Sequence, residues 1–424
     1  MGNSTSSAGG TVEKEKHRAY NLVTTVQRLF GANCEDVRLV RVPLRICPLG
    51  AHIDHQCGQV TGMTINATIL LAYIPNRARE MRIHSLNFSP PVAFRLDDVP
   101  PRGEPLWGNY VCGAVVALQQ RYRLYCGIDG VISGEMPIGG LSSSAAVGVA
   151  YLLALEDVND LDVTPMENIE LDRFIENEYI GLNNGILDQS IILLSDHEHL
   201  TFLDCHTVDY AHVPSPLDRN DFDILVVYSG LTRALVGTDY NERVFQCQTA
   251  ARMLLEWAGH PVPPSPRLRM VPPEVFGDYH RRLPVPLRKR ARHFFTEMER
   301  VQCGVAAWTS GNLVEFGYLM AQSGHSSIVN YECGCPHLIS LYEILNNCPG
   351  VYGARFSGAG FRGCCIGLSD PSQREAIIET IHREYPARHP EIKGKYSIHF
   401  CKPDGPAGHA RYSSALRAGH RYVL

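Results

Sequence analysis

Apolar residues along the chain switch between two periods, and the switches mark out the elements. Over residues 11–31, Tyr20, Val23, Val26 and Phe30 recur at helical spacing, which predicts an amphipathic helix. Val37 and Leu39 then alternate within Val37–Val40, and Ile65–Tyr73 repeats that pattern less cleanly; both stretches read as strands. Residues 108–124 carry Val111, Val115, Leu118 and Tyr122 at helical spacing, Val131–Ser133 reads as a short strand, and Ala145–Leu155 as an apolar helix. Further along, 165–181 and 287–303 read as helices, and Ile224–Tyr228 and Cys364–Leu368 as buried strands. Pro261–Pro273, with Pro284 and Pro286 soon after, reads as a loop or insertion. Helix and strand mix without a regular βαβ beat, so an α+β fold is expected. A chain of 424 residues suggests two or three domains. The expected division is a disordered tail over 1–10, one domain over 11–215 and a second over 216–424, with the boundary after the polar loop around Pro214–Asn220.

Composition narrows the class. Hydrophobic content of 45% and charged content of 20% are those of a soluble globular protein. A net charge of -5 gives no reason to expect a nucleic acid or an anionic membrane as partner. No apolar run approaches the roughly 20 residues that span a bilayer. The 14 cysteines are scattered among apolar segments, and Cys333 and Cys335 lack a second ligand pair, so a reduced, cytoplasmic protein without a zinc site there is expected; a monomer is the expected oligomeric state. Met1-Gly2-Asn3-Ser4-Thr5-Ser6 fits the myristoylation pattern, although a Ser/Gly tail has the same composition.

Three segments carry candidate chemistry. In Pro137-Ile138-Gly139-Gly140-Leu141-Ser142-Ser143-Ser144, the glycines let the backbone approach a ligand and the serines supply hydroxyls. A helix starts directly afterwards, so free N–H groups and a positive dipole end face the loop, an arrangement suited to phosphate. The same residues could also be a plain connector. Arg45-Ile46-Cys47-Pro48-Leu49-Gly50-Ala51-His52-Ile53-Asp54-His55 packs an arginine, two histidines and a carboxylate after a strand, which suits a polyhydroxylated ligand; a surface loop and a zinc site are the alternatives. Glu176-Asn177-Glu178 precedes Asn184-Gly185-Ile186-Leu187-Asp188-Gln189, where Asp188 is either a helix cap or a base at a cleft. Walker A, H-R-D and D-F-G signatures are absent. Gly358–Gly363 matches G-x-G-x-x-G, but a strand is expected after it where a dinucleotide site would need a helix.

Taken in order, these segments resemble the GHMP small-molecule kinases, and within them the galactokinases. Pro137–Ala146 resembles the phosphate loop, Arg45–Asp54 the sugar motif, Gly185–Gln189 the G-I-M-D-Q element and Arg355–Gly363 the third motif. Trp107-Gly108-Asn109-Tyr110 resembles an element beside adenine, and Tyr240 falls in a segment, Leu231–Cys247, similar to one bearing a sugar-contacting tyrosine. The resemblance runs from about residue 37 to about residue 368. It implies a two-domain fold, ribosomal protein S5 domain 2-like then ferredoxin-like, with the active site in the cleft between. It implies ATP and Mg2+ as cofactors and a small sugar as partner. Asp188 would be the base and Arg45 the charge stabiliser. Glu176 and Ser144 would hold magnesium, while Gly139, Gly140, Leu141, Ser142, Ser143 and Ser144 cradle the phosphates and Trp107 and Tyr110 flank the adenine. Ala51, His52, Asp54, Gly185 and Tyr240 would line the sugar site.

The departures from the family pattern point further. The sugar motif's glutamate is Ala51 here, its following tyrosine is His55, and two third-motif glycines are Ala359 and Arg362. In galactokinases that glutamate reaches toward the C6 hydroxyl. A carboxylate there would repel a substrate carboxylate by roughly 4 kcal/mol at about 4 Å and an effective dielectric near 20. Ala51 removes that repulsion, and Arg45–Gln56 resembles plant galacturonokinases more closely than galactokinases. The expected reaction is therefore phosphorylation of D-galacturonate at C1, with His55, Arg233 and Arg362 as candidates to meet its carboxylate. The rivals are a kinase for galactose or glucuronate, and a non-catalytic sugar sensor.

Overall fold

The computed structural model describes residues 8–136, 140–231, 239–361 and 363–410. The strands are β1 (Arg38–Ile46), β2 (Gln59–Asn76), β3 (Glu80–Ser85), β4 (Val92–Arg95), β5 (Gly127–Gly134), β6 (Leu200–Asp204), β7 (Tyr210–Val213), β8 (Asp223–Tyr228), β9 (Val351–Phe356), β10 (Cys364–Ser369), β11 (Ser397–Cys401), β12 (Pro403–Asp404) and β13 (Gly408–Ala410). The helices are α1 (Ala8–Phe30), α2 (Gly108–Gln119), α3 (Ser143–Val158), α4 (Pro165–Phe174), α5 (Leu187–Leu194), α6 (Tyr240–Trp257), α7 (Pro273–Tyr279), α8 (Val285–Thr309), α9 (Leu313–Ser326), α10 (Pro336–Asn346) and α11 (Arg374–Arg388). The fold class is α+β, built on two sheets.

The first sheet runs β13-β1-β2-β5-β3-β4, with β12 and β6 also on β2 and β7 on β6. The second runs β11-β8-β10-β9 and is antiparallel throughout. After the second sheet the chain returns to the first through β12 and β13. Strand β2 is buried on both faces, which explains its unclean alternation. Leu70 and Ala72 meet Ala19, Leu22, Val23 and Val26 of α1. Leu71 and Tyr73 point the other way, into a core shared with Val111 and Val115 of α2 and Val149 of α3. A strand covered on both sides reads as an apolar run and loses the period of two.

Two helical expectations end early. The helix expected over 108–124 stops at Gln119. The one expected over 165–181 begins at a Thr164–Glu167 capping box, but its regular part stops at Phe174. From Ile175 to Ile180 the turns widen to a π-helix, which Gly181 closes with φ +84°. A second π-turn, Ser327–Tyr331, follows α9. Such widened turns concentrate at functional sites, and both of these lead to the same place. Strand β10 does follow Gly358–Gly363, where a dinucleotide site would need a helix. Among the described residues, no helix is long and apolar enough to cross a membrane.

The second core reaches back under the loop after β1. Cys47, Ala51 and Ile53 pack with Leu225 and Val227 of β8, Ala291 and Phe294 of α8, and Tyr331. That loop is thus held between the two sheets, with one side on a core and the other on a cavity.

Candidate active site

The cavity has a volume of about 650 Å³. Arg45, at the end of β1, and Asp188, in the first turn of α5, face each other across its floor. The Arg45 Nε donates to Asp188 Oδ1 at 2.8 Å and its Nη2 donates to the same oxygen. Arg45 is 2% exposed. Burial by itself would weaken its charge, but Asp188, with Cys47 and Asp54, offsets this and holds the guanidinium above its usual pKa. Its third nitrogen, Nη1, is buried and has no hydrogen-bond partner among the described residues. Both short contacts fall on Oδ1, so among the described residues the other carboxylate oxygen of Asp188 is left for a ligand.

The Gly/Ser segment forms one wall. Gly140 takes φ +86°, and a Cβ there would sit 2.9 Å from the Cys364 nitrogen and 3.1 Å from the Ser357 carbonyl, so only glycine fits. Ser142 is left-handed at φ 55° and starts α3 without a side-chain cap. Its Oγ is buried without a partner among the described residues. The first amides of a 16-residue helix therefore meet the cavity beside an unengaged hydroxyl, as an anion site requires.

Glu176 comes in from the π-turn. It is 1% exposed. One oxygen, Oε2, accepts from the Asn184 amide, while Oε1 is buried without a hydrogen bond among the described residues. Burial first, then the Asp188 charge, push its pKa up to about 7; Ser144, Asn184 and Arg45 pull the other way. A buried carboxylate oxygen facing a serine hydroxyl and a phosphate-type loop fits a hard cation such as Mg2+, which prefers oxygen ligands. Asp54 is pushed up to about 6, by burial and then by Asp188, and accepts from the Gly185 amide at 3.2 Å.

Behind the loop lies an apolar–aromatic layer. His52, at φ 63°, stacks on Tyr331 with ring centroids 4.4 Å apart. Burial, then His293, hold His52 well below its ordinary pKa. His55 Nδ1 accepts from the Gln56 side-chain amide at 2.9 Å, which leaves its Nε2 to donate to the Tyr331 hydroxyl at 3.0 Å. Burial brings it down to about 3, so it is neutral. Helix α8 clamps the loop with residues one turn apart. His293 Nε2 donates to the Ala51 carbonyl at 2.9 Å, and its Nδ1 accepts from Ser326 Oγ at 2.9 Å. Glu297 Oε1 accepts from the Gly50 amide at 2.8 Å. Burial works against the Glu297 charge, but Arg300, His293 and Arg355 together bring its pKa down to about 2.

The structure brings most of the expected site residues onto one cavity: Arg45, Ala51, His52, Asp54, Trp107, Tyr110, Gly140, Ser142, Ser143, Ser144, Glu176, Asp188 and Tyr240 all line it. Two do not. Leu141 turns into the core and is 2% exposed, and Gly185 packs its backbone against Asp54, where a Cβ would meet Oδ2 at 2.5 Å. His55, expected as a carboxylate contact, sits behind the wall with both nitrogens engaged. Gly139, Arg233, Arg362 and the Gly2 acylation motif lie outside the described residues. Sequence reasoning missed His293 and Glu297, and it named Asn184 in a candidate segment without giving it a role. Glu297 carries no local signal, since Glu299 lies on the same helix and its partner Gly50 is 247 residues away in sequence.

Comparison with known proteins finds the same family in both halves of the chain. Residues 109–196 match the GHMP kinases N terminal domain and residues 305–387 the GHMP kinases C terminal domain. The chain is 48% identical to a galacturonokinase of Arabidopsis thaliana, over 87% of this chain and 91% of that one. It is 31% identical to a galactokinase of Roseiflexus sp., over 87% and 92%. Among solved structures, a Lactococcus lactis galactokinase complexed with galactose superposes with a TM-score of 0.84 at 30% identity, over 92% of this chain and 99% of that one. A Methanococcus jannaschii mevalonate kinase, at 16% identity and a TM-score of 0.61, shares the fold.

Proposed function

This chain belongs to the GHMP kinases and is a sugar kinase, and from that premise we propose that it phosphorylates the C1 hydroxyl of D-galacturonate, giving α-D-galacturonate 1-phosphate and ADP. The observation that carries the substrate is Ala51. It lines the cavity 7% exposed and uncharged at the place where galactokinases carry a glutamate, and the galacturonokinase relative is more similar than the galactokinase. Asp188 takes the proton from the anomeric hydroxyl through the oxygen that Arg45 leaves free. Arg45 holds that carboxylate in place through its Nε and Nη2 and turns its unpartnered Nη1 toward the charge that builds on the transferring group. The amides of Gly140 to Ser144 and the α3 N-terminus hold the ATP phosphates, and Trp107 and Tyr110 flank the base. Ser144 and Glu176 are the residues that would hold Mg2+, whose positive charge neutralises phosphate oxygens. His52, Asp54 and Tyr240 meet sugar hydroxyls. Phosphoryl transfer needs positioning and charge neutralisation above all, and these residues supply both. ADP release measured across galacturonate, glucuronate, galactose and glucose decides the substrate. Turnover of galactose but not of either uronate would overturn the assignment, and no turnover of any of them would favour a sensor.

Two predictions arise from the site's supports. Glu176→Ala should raise the magnesium concentration needed for half-maximal rate, because one oxygen ligand is lost while Ser144 and ATP remain; an unchanged magnesium dependence would remove Glu176 from the metal site. His293→Ala leaves the buried Ala51 carbonyl without its donor, at a cost of about 1–3 kcal/mol. The sugar KM should rise several-fold with the ATP KM unchanged, and His293→Gln, whose amide can also donate, should recover part of the loss. Equal changes in both KM values would reduce His293 to a general packing role.

A further inference from the structure

Away from the cavity, three side chains from two helices and a short turn converge on one point. His337 is in the first turn of α10, His389 ends α11, and Glu391 sits in the short 3-10 turn Pro390–Ile392 that follows. One nitrogen from each ring and one Glu391 oxygen all lie within 4.8 Å of one another. His337 Nε2 is 2.6 Å and His389 Nδ1 3.6 Å from the same oxygen, Glu391 Oε1. The rings stack with centroids 4.1 Å apart. The outward nitrogen of His389, Nε2, is engaged by Ser340 Oγ at 2.8 Å, one turn along α10 from His337. An outer hydrogen bond of that kind fixes the ring and directs the other nitrogen inward, as around metal-ligating histidines. The neighbouring guanidinium of Arg388 is occupied by Glu343 at 2.9 Å and Glu384 at 3.5 Å.

We propose that His337, His389 and Glu391 form a surface site for a borderline divalent cation of the Zn2+ class, with a fourth position open to water. Two imidazoles and a carboxylate are a donor set that zinc accepts and magnesium does not favour. A tetrahedral ion with bonds near about 2.0–2.1 Å sets its ligands roughly 3.3–3.4 Å apart. His389 already stands close to that spacing, and Glu391, 59% exposed, can rotate away from His337 to reach it. The bound ion would tie the start of α10 to the end of α11 without touching the reaction.

The test is calorimetric titration of ZnCl2 into the chelator-treated full chain at neutral pH, with Co2+ absorption as a second reading. We expect one equivalent bound with micromolar Kd, and a loss of affinity of about tenfold or more in both His337→Ala and Glu391→Gln. Sugar phosphorylation should be unchanged in both. The cobalt spectrum should lack the thiolate charge-transfer band that cysteine ligation would give. Millimolar binding, an affinity unaltered in the variants, or a thiolate band would each overturn the proposal. Glu391→Gln, at an exposed position, decides if His337→Ala does not fold.

Discussion

Asp188→Asn should lower kcat by about 10²–10⁴-fold, the usual contribution of a positioned base, while ATP binding and the melting temperature stay close to the parent's. The structure explains why the fold should survive. The Asp188 side chain is 21% exposed, and Arg45 meets only its Oδ1. The amide carbonyl of asparagine can accept the same two contacts, so the buried guanidinium keeps a hydrogen-bond partner although it loses a charge. What disappears is the free carboxylate oxygen that takes the proton. Removing the negative charge beside Glu176 and Asp54 also removes a cause of their raised pKa values, so both should titrate lower in the variant. Single-turnover rates with ATP and galacturonate, read beside thermal melts, check the expectation. A variant with near-parental kcat would exclude Asp188 as the base and return it to the helix-cap role that sequence also allowed.

Ala51→Glu should act almost as strongly, and selectively. The proposal puts the uronate's carboxylate near Ala51, and a glutamate there would bring a second carboxylate within about 4 Å. Both are ionised at neutral pH, given reference pKa values near about 4. At an effective dielectric near 20 the repulsion is roughly 4 kcal/mol, which lowers kcat/KM for galacturonate by about two to three orders of magnitude. Water entering the cavity would soften that figure. Galactose has no charge at C6 and gains a hydrogen-bond partner, so its kcat/KM should fall much less or rise. The clamp from His293 and Glu297 bonds only the backbone of Gly50 and Ala51, so the loop need not move when the side chain changes. A folding defect would depress both substrates alike, and the ratio of the two kcat/KM values is therefore the quantity to measure. Parental turnover of galacturonate by the variant would take Ala51 away from C6 and remove the main physical support for the substrate.

The sequence determined the chemistry-bearing segments and the faces of most long elements. The reason is local: a glycine-serine turn before an apolar helix, or apolar positions at a spacing of three and four, has the same physical meaning wherever the chain places it. Gly140, Ser142 and the start of α3 could be read that way. So could the faces of α1 and α2, to within a few residues at the ends. Tertiary structure decided the rest. Whether Asp188 was a cap or a cleft residue depended on Arg45, far away in sequence, which supplies the partner that fixes the carboxylate at the cavity floor. His55 looked like a ligand contact because it is polar and next to the motif. Its ring nitrogens are instead taken by Gln56 and Tyr331, and no local pattern predicts a partner 276 residues on. Strand β2 blurred its own period because α1 and α2–α3 cover both faces. The regular helix expected through residue 181 gave way after Phe174 to wider turns, which place Glu176 on the cavity beside Ser144 and Asn184. In each case the deciding energy was a non-local contact, a buried hydrogen bond or a covered face, and sequence spacing carries no record of it.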